Sequence, residues 1–117
     1  MKKYALVLLI INCFLFSCEK NKSYYNENMF ACGVSNPQKN IRWLKELIEK
    51  AEVDKTGNYL GTIWLEKYAG EDVFVIDMAL GSGGVAYYCY DCKGTSFVPQ
   101  SPLEMKKDKL IYTNLPL

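Results

Sequence analysis

The chain contains no histidine. That absence removes Ser-His-Asp and Cys-His activation of a nucleophile and the general base that enzymes use most often. It also removes every zinc site that counts an imidazole among its ligands. Catalysis would have to rest on carboxylates, lysine or tyrosine. An excess of either charge is missing too, since 14 basic side chains face 13 acidic ones over 117 residues. Nucleic-acid binding normally needs a clustered basic face, so no nucleic-acid partner is expected. Nor is any apolar run long enough to span a bilayer. Tyr4 to Phe16 is 13 residues broken only by Asn12 and Cys13, against roughly 20 for a spanning helix.

That run does have the length of a secretory h-region, about 7–15 residues. It comes after a positive start, Met1-Lys2-Lys3, and closes on Leu15-Phe16-Ser17-Cys18. The segment resembles the lipobox of bacterial lipoproteins, in which a small residue precedes a cysteine that is diacylated and becomes the new N-terminus. The resemblance implies that residues 1–17 are a removed signal peptide and that Cys18 is the lipidation site. It implies a lipid-anchored place in the cell envelope, with the membrane as a partner through the acyl chains. Each buried methylene of such a chain contributes about 0.8 kcal/mol. Loss of Lys2 and Lys3 leaves 12 basic against 13 acidic side chains, so charge plays little part in attachment.

Residues 18–30, the lipidated cysteine and an Asn- and charge-rich stretch without apolar period, read as a tether whose Tyr24 and Tyr25 are able to pack on the domain. Residues 31–117 read as that one domain. Asn36 is a capping residue type, and Pro37 suits the first helical position, where a missing N–H is harmless. Ile41, Leu44, Leu47, Ile48 and Ala51 then recur on one helical face. Arg42–Glu46, Lys45–Glu49 and Glu46–Lys50 are spaced to pair on the other. A helix over 37–54 is expected, with Gly57 as its stop. Strands are expected at 59–68, 73–80, 85–90, 95–98 and 109–113, with Ala69-Gly70-Glu71-Asp72 as a hairpin loop and Asp91-Cys92-Lys93-Gly94 as a type I turn. The fold class is α+β: one N-terminal amphipathic helix packed on a small antiparallel β-meander.

Two blocks, Cys32-Gly33-Val34 with Pro37 and Trp43-Leu44-Lys45, and Tyr90-Asp91-Cys92-Lys93-Gly94, resemble those of a family of small Bacteroides-type lipoproteins. The resemblance supports location and fold; the family carries no assigned activity and adds nothing to mechanism.

Cys13 leaves with the signal and Cys18 carries lipid, so Cys32, Cys89 and Cys92 remain as disulfide candidates. An exported chain lives where disulfides persist, and an odd number leaves one thiol over. A bridge from Cys32 to Cys89 or Cys92 would staple a small core. The block containing Cys92 in the family favours that partner. The CxxC spacing of Cys89 and Cys92 also admits a redox dithiol, although that motif usually opens a helix and here it runs from strand to turn. Three cysteines with Asp91 could in principle hold zinc, but no metal or cofactor is expected. Gly81-Ser82-Gly83-Gly84 lacks the Lys-Ser/Thr of a phosphate loop and a base for Ser82, and reads as a strand connection. Among the carboxylates, Glu66 reads as an exposed strand position, Glu71 and Asp72 as turn residues, and Asp77 as a surface-facing or hydrogen-bonded site within an apolar strand. Trp64, Tyr68, Tyr87, Tyr88 and Tyr90 fall on neighbouring strands and form a candidate binding surface, because rigid amphipathic rings favour recognition. The functional expectation is a non-catalytic binding or structural module with a protein or glycan partner. The alternatives are a thiol redox protein using Cys89/Cys92 and an inhibitor of an incoming hydrolase.

Overall fold

In the computed structural model the residues described are 23–81 and 87–116. The segment expected to be a signal peptide, Cys18 and most of the Gly81–Gly84 connection lie outside them. Chain order begins with three two-residue strands, β1 (Tyr24–Tyr25), β2 (Phe30–Ala31) and β3 (Val34–Ser35). Two helices come next, α1 (Pro37–Asn40) and α2 (Arg42–Val53). The single helix expected over 37–54 is therefore interrupted. Ile41 is extended, with φ −98° and ψ 113°, and serves as the cap of α2. Its backbone N–H still donates to the Pro37 carbonyl at 2.9 Å, and its own carbonyl accepts from Lys45 at 2.9 Å, so the break costs no backbone hydrogen bond at that residue. The expected Asn36 cap is not made either. Asn36 is left-handed at φ 48°, without a side-chain cap bond.

Asp54 ends α2 by gathering donors that would otherwise be loose. Its carboxylate accepts the backbone N–H groups of Thr56 (3.1 Å), Gly57 (3.0 Å) and Tyr59 (3.1 Å). Gly57 then takes φ +85° as the chain turns away.

Five further strands are β4 (Gly61–Tyr68), β5 (Glu71–Met78), β6 (Tyr87–Tyr90), β7 (Ser96–Phe97) and β8 (Leu110–Thr113). β4 and β5 are joined by Ala69 (φ 51°) and Gly70 (φ 81°) alone. Two consecutive positive φ values are the signature of the hairpin turn whose twist matches its strands. Glu71 and Asp72, expected in the loop, therefore lie in β5, paired with Tyr68 and Lys67. The six-stranded antiparallel sheet has the order β1-β8-β4-β5-β6-β7. It is a meander from β4 to β7, to which β8 returns on the far side of β4. Tyr24 and Tyr25 add a strand beyond β8, opposite Thr113 and Tyr112, so the stretch read as tether contains a strand of the sheet. Glu52, at the end of α2, fixes this strand by accepting from the Tyr25 hydroxyl and, at 2.7 Å, from Ser23 Oγ.

The helices cover one face of the sheet. Ile63, Leu65, Phe74, Ile76 and Met78 alternate along β4 and β5 and meet Leu44, Ile48 and Ala51 of α2 in one core. Ile111 and Tyr112 are consecutive yet both join that core, because the β4–β8 register shifts at Ile63/Trp64 and a bulge turns two neighbours to one side. Arg42–Glu46 and Lys45–Glu49 pair on the outer side of α2, at 3.2 and 3.9 Å. Gly61 sits where any Cβ would overlap the Asp77 carbonyl.

Candidate functional site

On the other face of the sheet stand Thr62, Trp64, Glu66 and Tyr68 of β4, Val73, Val75 and Asp77 of β5, and Tyr87 and Cys89 of β6. The register that places Val75 beside Cys89 and Asp77 beside Tyr87 fixes this side. Residues 98–109, between β7 and β8, cross that face as an extended strap. Two side chains of β4 hold it. The Tyr68 hydroxyl accepts the backbone N–H groups of Gln100 and Ser101, at 2.9 and 3.2 Å. Hydrogen bonds from the Ser101 hydroxyl and backbone outweigh desolvation and, with a weaker one from Gln100, hold the Tyr68 phenol below its usual pKa. Further along, the Glu66 carboxylate accepts the N–H groups of Lys106 (3.1 Å) and Lys107 (3.3 Å). Glu66 is only 4% exposed. Read from sequence as an exposed strand residue, it is instead a buried anchor, because the strap lies on the face it points from.

Between its anchors the strap alternates. Leu103, Met105 and Lys107 face a hollow of about 360 Å³ whose floor is Val75 and Cys89. Glu104, Lys106 and Asp108 line a separate charged cleft of about 180 Å³. A second open hollow, about 540 Å³, is lined by Ser96, Phe97 and Val98 and shares Tyr87, Cys89 and Pro99 with the first. Tyr87 is 56% exposed at this junction, and the Lys107 ammonium lies 5.9 Å from its ring centroid.

The five aromatic side chains singled out from sequence do not share one surface. Trp64, Tyr68 and Tyr87 are on the strap face. Tyr88 and Tyr90 pair with Ile76 and Phe74 and pack against the helix-side core. One residue of strand alternation separates Tyr87 from Tyr88, and that is enough to divide the set. Burial, followed by the neighbouring Tyr88 and Tyr59 phenols, pushes the Tyr90 pKa up.

The cysteines divide in the same way. Cys32 and Cys92 form a disulfide, with Cα atoms 5.8 Å apart and 60 residues of separation. Cys32 packs on the helix-side core, and its N–H donates to Asp72 Oδ2 at 2.9 Å. Partial burial disfavours the Asp72 anion, but the Lys67 ammonium at 2.7 Å and the Cys32 N–H outweigh it and lower the pKa. Cys89 keeps a free thiol, buried on the strap face. Desolvation raises its pKa, which favours the weakly nucleophilic thiol over the thiolate. Cys89 and Cys92 are thus a CxxC in sequence and two separate environments in space. Among the described residues no group of three or more Cys, Asp or Glu side chains is placed to hold a metal ion.

Trp43, which stands out in the sequence only as part of a motif, joins the two motif blocks. Its indole N–H donates to the Cys92 carbonyl at 2.9 Å, its ring meets Phe74 edge-on at 5.4 Å, and it stacks on Tyr90 at 5.5 Å. Gly94 lies against the indole so closely that a Cβ there would come within 2.6 Å of Trp43 Cγ. Asp91 shapes the turn beneath by accepting the N–H groups of Lys93 and Thr95, each at 2.9 Å. Within the two blocks, Cys32, Trp43, Tyr90, Asp91, Cys92 and Gly94 therefore have structural roles around the disulfide. Comparison of the chain with protein-family models, with curated proteins and with solved structures finds no match.

Proposed function

We propose that this chain is the precursor of a small exported lipoprotein whose mature domain is a non-catalytic binding or structural module of the cell envelope. The observation that carries the reading is the division of the cysteines. Cys32–Cys92 is a structural staple on the helix side, as suits an oxidising compartment, and Cys89 is left apart from it as a buried thiol. The apolar run closing on Leu15-Phe16-Ser17-Cys18 supports the lipid anchor, and the motif blocks around Trp43 and Cys92 support kinship with the Bacteroides-type lipoproteins. The strap face, with Trp64, Tyr68 and Tyr87, is the surface we assign to binding. A redox role would need Cys89 to exchange with Cys92, which is engaged elsewhere. An inhibitor of an incoming hydrolase remains the second reading and would use the same face.

Two measurements test this. In cells, wild-type protein should fractionate with membranes at its processed size, whereas Cys18→Ala should stay unprocessed or become soluble. A Cys18→Ala protein found in membranes at mature size would end the anchor reading. Non-reducing peptide mapping should find Cys32 joined to Cys92 and Cys89 alkylated only slowly before denaturation. A Cys89–Cys92 loop would instead favour the redox alternative.

A further inference from the structure

We infer that the trough beneath the strap is a binding site for a linear amphipathic anion, an unbranched apolar carboxylate of medium chain length. The inference rests on the binding reading above and gives it a ligand class. Two open hollows, largely apolar in their lining, share Tyr87, Cys89 and Pro99 and so adjoin along β6. The portion under Leu103 and Met105, about 360 Å³, already lies in the roughly 300–1,000 Å³ range of small-molecule sites. Val75, Pro99, Leu103 and Met105 offer an alkyl chain apolar contact, and the polar groups of its lining are those of Tyr87, Cys89 and Lys107. A polar ligand would leave its own groups unpaired there, which disfavours it.

The charged end is specified by Lys107, the one charged side chain lining that hollow. It follows Leu103 and Met105 among the strap residues that line the hollow, and is solvent-exposed where they are half-buried. The backbone holds it there. Lys107 adopts φ +54°, a left-handed conformation uncommon for a residue with a long side chain. The Glu66 carboxylate fixes its N–H from within the sheet. No carboxylate lies within 4 Å of its ammonium among the described residues; the basic groups so paired are Lys39, Arg42, Lys45 and Lys67. Asp77 stands beside Tyr87 in the register but does not line the hollow, and Glu66 is turned to the strap backbone. A carboxylate head would meet Lys107 over the Tyr87 ring, with its chain running along Cys89 toward Phe97.

Calorimetric titration of the full-length protein with decanoate, decanol and decyltrimethylammonium tests this, each kept below its aggregation concentration. Decanoate should bind one to one, and should slow alkylation of Cys89 as followed by peptide mass mapping. Lys107→Gln should weaken decanoate about fivefold, the upper range for a partly exposed ion pair, and leave decanol unchanged. Leu103→Glu, which puts a carboxylate at the trough wall without touching the core, should abolish decanoate binding. No binding of decanoate, equal binding of decyltrimethylammonium, or indifference to Lys107→Gln would each overturn the inference. Those results leave the binding-module reading standing, whereas a Cys89–Cys92 disulfide in the same peptide maps would remove that reading itself.

Discussion

Truncation of Leu44 or Ile48 to Ala should lower stability by about 2–5 kcal/mol, the usual loss for a buried aliphatic side chain that leaves a cavity. Both residues are almost fully enclosed, Leu44 at 0% and Ile48 at 4% exposure. They are the part of α2 that reaches Ile63, Leu65, Phe74 and Ile76. Domains of this size hold only about 5–15 kcal/mol in total. Either truncation should therefore produce a large drop in denaturation midpoint with little change in denaturant slope. Glu46→Ala and Glu49→Ala provide the contrast. Their partners, Arg42 and Lys45, are exposed i,i+4 neighbours, and their removal should change stability by no more than about 0.5 kcal/mol. Equal effects from the two classes would mean that α2 does not pack on the sheet as described.

The helical stripe was legible because the 3.6-residue spacing of Leu44, Leu47, Ile48 and Ala51 leaves few alternatives, even though the expected Asn36 cap is not made. Its interruption was not. Ile41 satisfies the apolar period whether helical or extended, since its side chain reaches the core in either state, and only the tertiary course of the chain decides between them. The strands of the β4–β7 meander were readable from their apolar and aromatic runs, but the return of β8 beside β4 involves pairing over about fifty residues. No local pattern encodes it. The candidate surface failed at Tyr88 and Tyr90 for a simpler reason. Clustered tyrosines in successive positions of one strand necessarily alternate sides, so the sequence already contained the evidence to divide them.

Glu66 and the strap show the opposite case. A glutamate in a β-strand reads as solvent-facing unless something is known to cover that face, and here the cover is a segment with almost no regular structure. Yet a signal was present in the segment itself. Leu103-Glu104-Met105-Lys106-Lys107-Asp108 keeps a period of two across Leu103 and Met105, which marks an extended chain with one side turned inward. Without that alternation in view, nothing in the segment gives a reason to bury Glu66. Once the alternation is seen, a buried carboxylate opposite two backbone N–H groups becomes the natural anchor, since an unpaired one would carry a heavy desolvation penalty.

Joint replacement of Cys32 and Cys92 by Ala should remove about 4 kcal/mol, the loop-closure term of the chain-entropy model for a bridge across 60 residues. The loss should appear with a steeper denaturant slope, because the unfolded chain is no longer held in a ring and exposes more surface. The disulfide does not act alone, and this is where the sharper test lies. Trp43 holds the same loop without covalent help, through its N–H to the Cys92 carbonyl and its stack on Tyr90. Trp43→Phe keeps a ring against Phe74 but leaves the carbonyl without its donor, which should cost about 1–3 kcal/mol. Gly94→Ala should also destabilise, since it places a methyl group into the indole at φ +83°. When the disulfide is already absent, the Cys92 segment has more freedom to adjust, so the penalty for Trp43→Phe should shrink. A double-mutant cycle measures that coupling. Additive losses would show that bridge and indole stabilise the loop independently, and would break the claim that Cys32, Trp43 and Cys92 act as one structural unit.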